Sequence, residues 1–130
     1  MNTELLVIMV VEDDPLIQTI VEESLAEGGF HPEVASSGEG ALTLLQNEES
    51  KYLALITDVN LSGALTGWDV ARRARELNPH IPVVYMTGAA ADDWPSLGVP
   101  QSMLLQKPFA PAQVVTAISQ LLNQVPPTHE

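Results

Sequence analysis

The sequence predicts a single α/β domain built on a parallel sheet, and three observations lead to that fold class. Apolar runs of strand length alternate with helix-length segments along the whole chain. The 130 residues are 45% hydrophobic, which is enough for one sizeable core and leaves no room for a second folded domain. Polar residues follow the ends of several predicted strands, where open parallel sheets bind ligands. We therefore expect one domain over residues 1–125 and a flexible tail over 126–130.

The first strand and helix are predicted with the strongest local signals. Leu5–Val11 is a continuous apolar run, as expected of a parallel strand that is buried on both faces. Asp14 is placed to cap the next helix, and Pro15 suits its first position because the missing N–H has no partner there. Gly28, followed by a second glycine, ends this helix.

The second strand, the second helix and the third strand come next. His31–Ala35 is the weakest strand prediction, because the segment is short and half polar. Ser37 or Gly38 begins the second helix, whose apolar residues continue to Leu45. Leu53–Thr57 is a buried-strand pattern that ends at an aspartate.

The third helix and the fourth strand are followed by an irregular crossover. The helix begins at Gly67, ends at Asn78-Pro79 and carries a cluster of arginines that we expect on a solvated face. The fourth strand is predicted over Pro82–Met86. A regular crossover would then need a helix within residues 89–102, but Pro95 and two further breakers limit it to a turn or two. We expect this crossover to be short, irregular and mobile.

The fifth strand and the last helix complete the predicted fold. The strand covers Met103–Leu105, and the helix runs from Pro111 to about Gln124. The expected fold is a doubly wound, flavodoxin-like parallel sheet in the order 2-1-3-4-5, in which strand 2 is an edge. The other four strands then lie side by side.

Composition and charge argue against several classes of function. The formal net charge is −12, so binding to nucleic acid or to anionic lipid is not expected. The absence of cysteine excludes disulfides, zinc–thiolate sites and thiol catalysis, and it fits a reducing compartment. No basic flank precedes the apolar N-terminal run and no stretch is long enough to span a bilayer, so we expect a cytoplasmic protein with no membrane contact.

The residues at the strand ends form one chemically coherent set. Carboxylates without nearby sulfur or histidine are hard ligands that suit Mg²⁺. A carboxylate beside that metal can attack a phosphoryl group, while a lysine pairs with the transferring group and a hydroxyl binds one of its oxygens. These roles fall to Glu12, Asp13, Asp58, Lys107 and Thr87, whereas Asp14 is read as a helix cap.

Four motifs, VVEDDPLI, ITDVN, YMTG and QKPF, together resemble the response-regulator receiver domain of bacterial two-component signalling. The resemblance covers nearly the whole chain. It implies a metal-binding acid pair, a phosphoacceptor, a backbone-carbonyl ligand, a switch hydroxyl and a lysine followed by a cis proline. In this sequence these are Glu12 with Asp13, Asp58, Asn60, Thr87, and Lys107 with Pro108.

The chain departs from the family pattern at two positions. Ser62 stands where the family usually has a proline, and the loop NLSGALT, which leads from Asn60 to Gly67, is one residue longer than is common. Leu104 stands where many members carry an aromatic residue, which questions the usual coupling of that residue to Thr87 but not phosphorylation itself. The short fourth helix and the segment KPFAPAQ resemble stand-alone receivers of alphaproteobacteria.

The expected function follows from this resemblance. Asp58 accepts a phosphoryl group from a histidine kinase or a phosphotransfer protein, with Mg²⁺ as cofactor. With no output domain in the sequence, the signal would leave by protein contact, or the domain would act as a phosphate sink. Residues 110–125 contain no charge, so the last strand and helix are a candidate surface for a partner or for a second copy; a merely solvated glutamine-rich face explains this composition equally well.

Two other classes of function remain as alternatives. A haloacid-dehalogenase-type phosphohydrolase also forms an aspartyl phosphate, but it needs its nucleophile and a second acid two residues later after the first strand. A flavin or nucleotide module would need a Gly-, Ser- or Thr-rich anion loop at that position, where this chain has three acids. We expect a phosphoacceptor that takes part in its own phosphorylation and dephosphorylation, not an enzyme that acts on a free substrate.

Overall fold

A five-stranded parallel sheet in the order β2-β1-β3-β4-β5 forms the centre of the molecule. The structure is a computed structural model, and it describes residues 6–47 and 51–124. The strands are β1 Val7–Val11, β2 His31–Ala35, β3 Tyr52–Asp58, β4 Val83–Thr87 and β5 Ser102–Gln106. The helices are α1 Pro15–Glu27, α2 Gly38–Asn47, α3 Gly67–Leu77, α4 Trp94–Leu97 and α5 Pro111–Gln124.

The predicted strand order and every predicted element are confirmed, and the bounds differ from the predictions by only one or two residues. The predicted start of β1 at Leu5 and the predicted tail over 126–130 lie outside the described residues. Within the described ranges, none of the helices has the length and apolar character needed to cross a bilayer.

The core lies on both faces of the sheet, and the side chains of β1 alternate between the two faces. Ile8 and Val10 pack with α1 and α5, whereas Met9 and Val11 pack with α2 and α3. All four side chains are fully buried. The continuous apolar run of this strand is therefore explained by its central position between β2 and β3.

The crossover from β4 to β5 is short, as predicted. A 3₁₀ turn at Ala91–Asp93 leads directly into α4, which has four residues. Two side-chain hydrogen bonds attach this crossover to the sheet. The Trp94 indole N–H donates to the Ser102 hydroxyl (3.0 Å), and the amide of Val99 donates to the hydroxyl of Tyr85 (3.0 Å).

The expectation that the α3 arginines form a solvated face is wrong for Arg75. Its guanidinium donates to three backbone carbonyls, those of Ile81 (2.7 Å), Pro100 (2.6 Å) and Gln101 (3.1 Å). These acceptors lie in the segments that precede β4 and β5, which a helix-periodicity argument does not bring together. Arg75 therefore ties α3 to the crossover, while Arg73 forms an exposed ion pair with its own helix.

Candidate functional site

The carboxyl ends of the parallel strands lie at one edge of the sheet, and backbone hydrogen bonds between neighbouring strands continue beyond those ends. The amide of Glu12 donates to the carbonyl of Ala35 (3.1 Å), and the amide of Val59 donates to that of Met86 (3.0 Å). On the far side, the amide of Lys107 donates to the carbonyl of Thr87 (2.8 Å). These bonds fix the residues that follow β1, β3 and β5 in register, so their neighbours share one pocket.

Glu12 is the innermost of the three consecutive acids. Its side chain is 0% exposed, and each carboxylate oxygen has a partner: Oε1 accepts from Lys107 Nζ (3.1 Å) and Oε2 from the amide of Asp14 (3.1 Å). Burial raises the pKa of Glu12, and the charge of Asp58 adds to this, against the lowering effect of the hydrogen bonds. Glu12 is a buried carboxylate that a further cation would stabilise.

Asp13 and Asp14 have different surroundings from Glu12 and from each other. Asp13 is half-buried, and its Oδ2 accepts from both the amide (2.9 Å) and the hydroxyl (2.5 Å) of Ser62. Hydrogen bonding by Ser62 lowers the pKa of Asp13. Asp14 is exposed and caps α1 by accepting from the amide of Leu16 (2.9 Å), which confirms the predicted cap.

Asp58 lies at the end of β3 in the centre of this edge and is only 5% exposed. Its Oδ2 lies 3.3 Å from Lys107 Nζ. Behind it, the backbone of Gly67 packs so closely that a Cβ at position 67 would collide with the carbonyl oxygen of Asp58. The amide of Gly67 also donates to the carbonyl of Val59 (2.9 Å). Glycine at position 67 therefore allows the start of α3 to pack directly against the backbone of Asp58.

Lys107 joins the two buried carboxylates. Its Nζ lies within 3.3 Å of both Glu12 and Asp58. Burial alone would lower its pKa, but the hydrogen bond with Glu12 and the charges of both carboxylates raise it instead. Lys107 therefore remains a cation at neutral pH. The Lys107–Pro108 peptide bond is cis, as predicted.

Thr87 and Gly88 form the opposite rim of the pocket. Thr87 is fully buried, and its hydroxyl oxygen accepts from the amides of Ala89 (3.2 Å) and Ala90 (2.8 Å). Both acceptor positions of the hydroxyl are then in use, so its proton remains for donation. Gly88 has open space where a side chain would lie. Leu104, at the position of the expected aromatic residue, is half-buried and packs on the core beneath α2 and α3.

The structure brings three of the predicted ligands together in one candidate metal site. One carboxylate oxygen each from Glu12, Asp13 and Asp58 lie within 4.8 Å of one another. An all-oxygen set of this charge fits a hard divalent cation such as Mg²⁺. Asn60, predicted to contribute a backbone carbonyl, is exposed in the loop that follows β3.

Sequence reasoning missed two polar residues at this site. Gln18 on α1 donates from its side chain to the carbonyl of Glu12 (2.6 Å) and to the hydroxyl of Ser36 (3.2 Å), which ties the ends of β1 and β2 together. In the sequence, Ser62 stands out only as a departure from a family pattern, and 49 positions separate it from its partner Asp13. A local pattern does not indicate either contact.

Comparisons with known proteins agree with this geometry. A family model for the response regulator receiver domain matches residues 8–119. The crystal structure of a response regulator receiver protein from Sinorhizobium medicae has a TM-score of 0.91 and 39% sequence identity, covering 95% of this chain and 98% of that one. The response regulator receiver protein CpdR of Brucella abortus is 30% identical over 117 residues, which are 88% of this chain and 95% of CpdR.

Other similar proteins differ in length or in what is bound. Among other curated relatives, the chain spans 48% of one and 36% of another. A receiver domain from a sensor histidine kinase of Pseudomonas aeruginosa shares the fold, with a TM-score of 0.77 at 24% identity. The match covers 92% of this chain and 98% of that domain, whose structure has a magnesium ion coordinated in its active-site cleft.

Proposed function

Because this chain belongs to the response regulator receiver-domain family, we propose that Asp58 is the residue that accepts its phosphoryl group. Receiver domains act in two-component signalling, and phosphorylation of an aspartate is general to the family. The observation that carries the assignment is the position of Asp58 between the Lys107 ammonium and the acids that end β1. It is central among these charged groups, and its carboxylate is one of the three that could share a metal ion.

The donor set supports a magnesium ion as the cofactor. Glu12, Asp13 and Asp58 supply only oxygen ligands, and together with Lys107 they leave the pocket with an excess of negative charge. The magnesium in the cleft of the Pseudomonas receiver domain agrees with this choice. We assign the three carboxylates and the backbone carbonyl of Asn60 to the metal. When bound, Mg²⁺ would neutralise charge on the transferring phosphoryl group.

The protein side chains divide the remaining chemistry. A carboxylate oxygen of Asp58 forms a bond to phosphorus while the bond from phosphorus to the donor nitrogen or acyl oxygen breaks, and the electron pair leaves with the donor. Lys107 already lies 3.3 Å from Asp58 and pairs with the added negative charge. The Thr87 hydroxyl donates a hydrogen bond to a phosphoryl oxygen. This bond draws the segment after β4 toward the pocket, because the same hydroxyl accepts from amides of that segment.

The phosphoryl group needs a protein that donates it and a protein that recognises the phosphorylated domain. We assign the donor to a histidine kinase or a histidine phosphotransfer protein, and the location to the cytoplasm, where such kinases draw on ATP. The reader would be a downstream protein or a second copy, bound at β5 and the uncharged outer face of α5, unless the domain acts as a phosphate sink. The domain would take part in its own phosphorylation and dephosphorylation without acting on a free substrate.

Intact mass spectrometry after incubation with Mg²⁺ and a small acyl phosphate tests the chemistry. The native chain should gain one phosphoryl group, and Asp58→Asn or a chelator should abolish the gain. Asp14→Asn is the matched control, because it makes the same substitution at an acid of the same cluster that only caps α1. Since asparagine also caps helices, this variant should be phosphorylated like the native chain. An adduct that persists in Asp58→Asn would show that the acceptor is another residue.

A further inference from the structure

The loop between β3 and α3, residues 59–66, is attached to the molecule on two sides of the pocket. At one side, the amide and the hydroxyl of Ser62 both donate to Asp13 Oδ2. At the other, the amide of Ala64 donates to Glu39 Oε2 (3.1 Å) at the start of α2. Ser62 is therefore the loop residue that hydrogen-bonds a metal-binding carboxylate, at one of the two attachment points of the loop.

The two Ser62 bonds constrain Asp13 in a specific way. Both reach the same oxygen, Oδ2, so the other carboxylate oxygen carries neither of them. Two donors that converge on one oxygen restrict the rotation of the carboxylate and the side chain. A ligand that is already oriented binds a metal with a smaller loss of conformational entropy than a freely rotating one.

We propose that Ser62 is a positioning residue for the metal pocket, which orients Asp13 for Mg²⁺ and couples the β3–α3 loop to the bound ion. The inference rests on the proposed function, because it needs Mg²⁺ to bind at Glu12, Asp13 and Asp58. Proline at position 62, the usual residue of the family at this place, has neither an N–H nor a hydroxyl. A chain with proline at this position could make neither bond.

The expected effect is on metal affinity and not on folding. Hydrogen-bond partners of metal ligands commonly contribute about tenfold or more to affinity, so we expect Ser62→Ala to raise the Mg²⁺ dissociation constant by about tenfold. Ser62→Pro removes both donors and should weaken binding further. Ser62→Thr restores the hydroxyl and should recover most of the native affinity. Ser62 is exposed, so the metal-free stability of Ser62→Ala should stay close to that of the native chain.

Isothermal titration calorimetry with Mg²⁺ on the full chain measures the affinity of each variant. It distinguishes the positioning of Asp13 by Ser62 from a general effect of losing a serine hydroxyl near the strand ends. Ser36→Ala is the matched control, because Ser36 is an exposed serine at the end of β2 whose hydroxyl accepts from Gln18 and does not contact a metal-binding candidate. Weakened binding in Ser62→Ala, near-native binding in Ser36→Ala and recovery in Ser62→Thr would support the inference. Urea unfolding without metal, followed by far-UV circular dichroism, checks that each variant is folded.

Two failures are separable in this experiment. If the native chain binds no Mg²⁺ and gains no phosphoryl group, the proposed function fails and the inference is overturned with it. If the native chain binds Mg²⁺ and Ser62→Ala binds it equally or more tightly, the proposed function stands and the inference alone is overturned. Equal weakening by Ser62→Ala and Ser36→Ala would also overturn it, because the effect would then not depend on contact with Asp13.

Discussion

Replacement of Gly67 by alanine should damage both the stability of the domain and the chemistry at Asp58. The added Cβ would collide with the carbonyl oxygen of Asp58 and lie 2.9 Å from Val59 Cα. Both obstacles are backbone atoms, so no rotamer change relieves them. To reach normal contact distance, the start of α3 and the end of β3 must separate by on the order of 1 Å, and a displacement of that size at a reacting group can cost about 100-fold in rate.

For Gly67→Ala, the overpacking cost to the free energy of unfolding exceeds the gain in helix propensity. Overpacking at a buried contact costs about 1–3 kcal/mol, and here the colliding atoms are less able to yield than side chains. Alanine improves helix propensity by at most about 1 kcal/mol. We therefore expect Gly67→Ala to lower the free energy of unfolding by roughly 1–3 kcal/mol. Its phosphorylation by an acyl phosphate should slow by at least about tenfold.

Gly88→Ala is the matched control for this prediction. It lies near the same pocket, but a Cβ at position 88 meets no atom within 4 Å. Its free energy of unfolding, measured in urea by circular dichroism, should be unchanged or raised by about 0.4–1 kcal/mol. If Gly67→Ala matches the native chain in both unfolding and phosphorylation rate, the close approach of α3 to Asp58 does not support the acceptor as described.

Three further predictions concern the crossover, the start of α3 and the pocket lysine. Arg75→Met should lower the free energy of unfolding by about 2–4 kcal/mol because three carbonyls lose a charged donor, whereas Arg73→Met should change it by less than about 0.5 kcal/mol; equal effects in urea titrations would contradict the anchoring role of Arg75. The backbone hydrogen bond from Thr66 lowers the pKa of Asp69 below 3.8, so its stabilisation is complete above that pH and is lost as the pH falls through the lowered value. Asp69→Asn should therefore flatten the dependence of unfolding free energy on pH below about pH 4, and an unchanged slope would refute the assignment. Lys107→Gln should bind Mg²⁺ more tightly, because a cation beside the site is removed, yet gain a phosphoryl group at least about tenfold more slowly; slower phosphorylation with weaker Mg²⁺ binding would instead indicate a disordered pocket.

The fold could be predicted from sequence because its signals are local and repeated. Four of the five strands contain short apolar runs, with the half-polar β2 as the exception, and the ends of α1 carry standard signals such as the Asp14 cap and Pro15. The short α4 was predictable because Pro95 and Gly98 lie within one turn of each other. The site residues followed from the same topology, since the strand order alone brings Glu12 and Asp58 to one edge.

The residues that escaped sequence reasoning act over long sequence separations through backbone groups. Arg75 looked like part of a charged helix face, yet its acceptors are carbonyls, which every residue has and which leave no trace in a sequence pattern. Ser62 and Gln18 have the same character, because their partners are set by how loops meet in three dimensions. Side chains that organise a site from outside are therefore harder to predict than the groups that carry its chemistry.

The three consecutive acids after β1 are stable together because each has a different kind of partner. Glu12 meets the Lys107 ammonium, Asp13 meets the Ser62 donors, and Asp14 meets the Leu16 amide at the start of α1. Of these partners only Lys107 is a cation, and it is shared with Asp58. The pocket therefore holds the carboxylates of Glu12, Asp13 and Asp58 and one ammonium, which leaves two negative charges uncompensated. A divalent cation matches that excess. Phosphorylation replaces the single charge of the Asp58 carboxylate with about two on the phosphoryl group. Acceptance without the metal would therefore raise the excess from two to about three negative charges in one pocket, and this is the physical reason to expect that phosphorylation requires Mg²⁺.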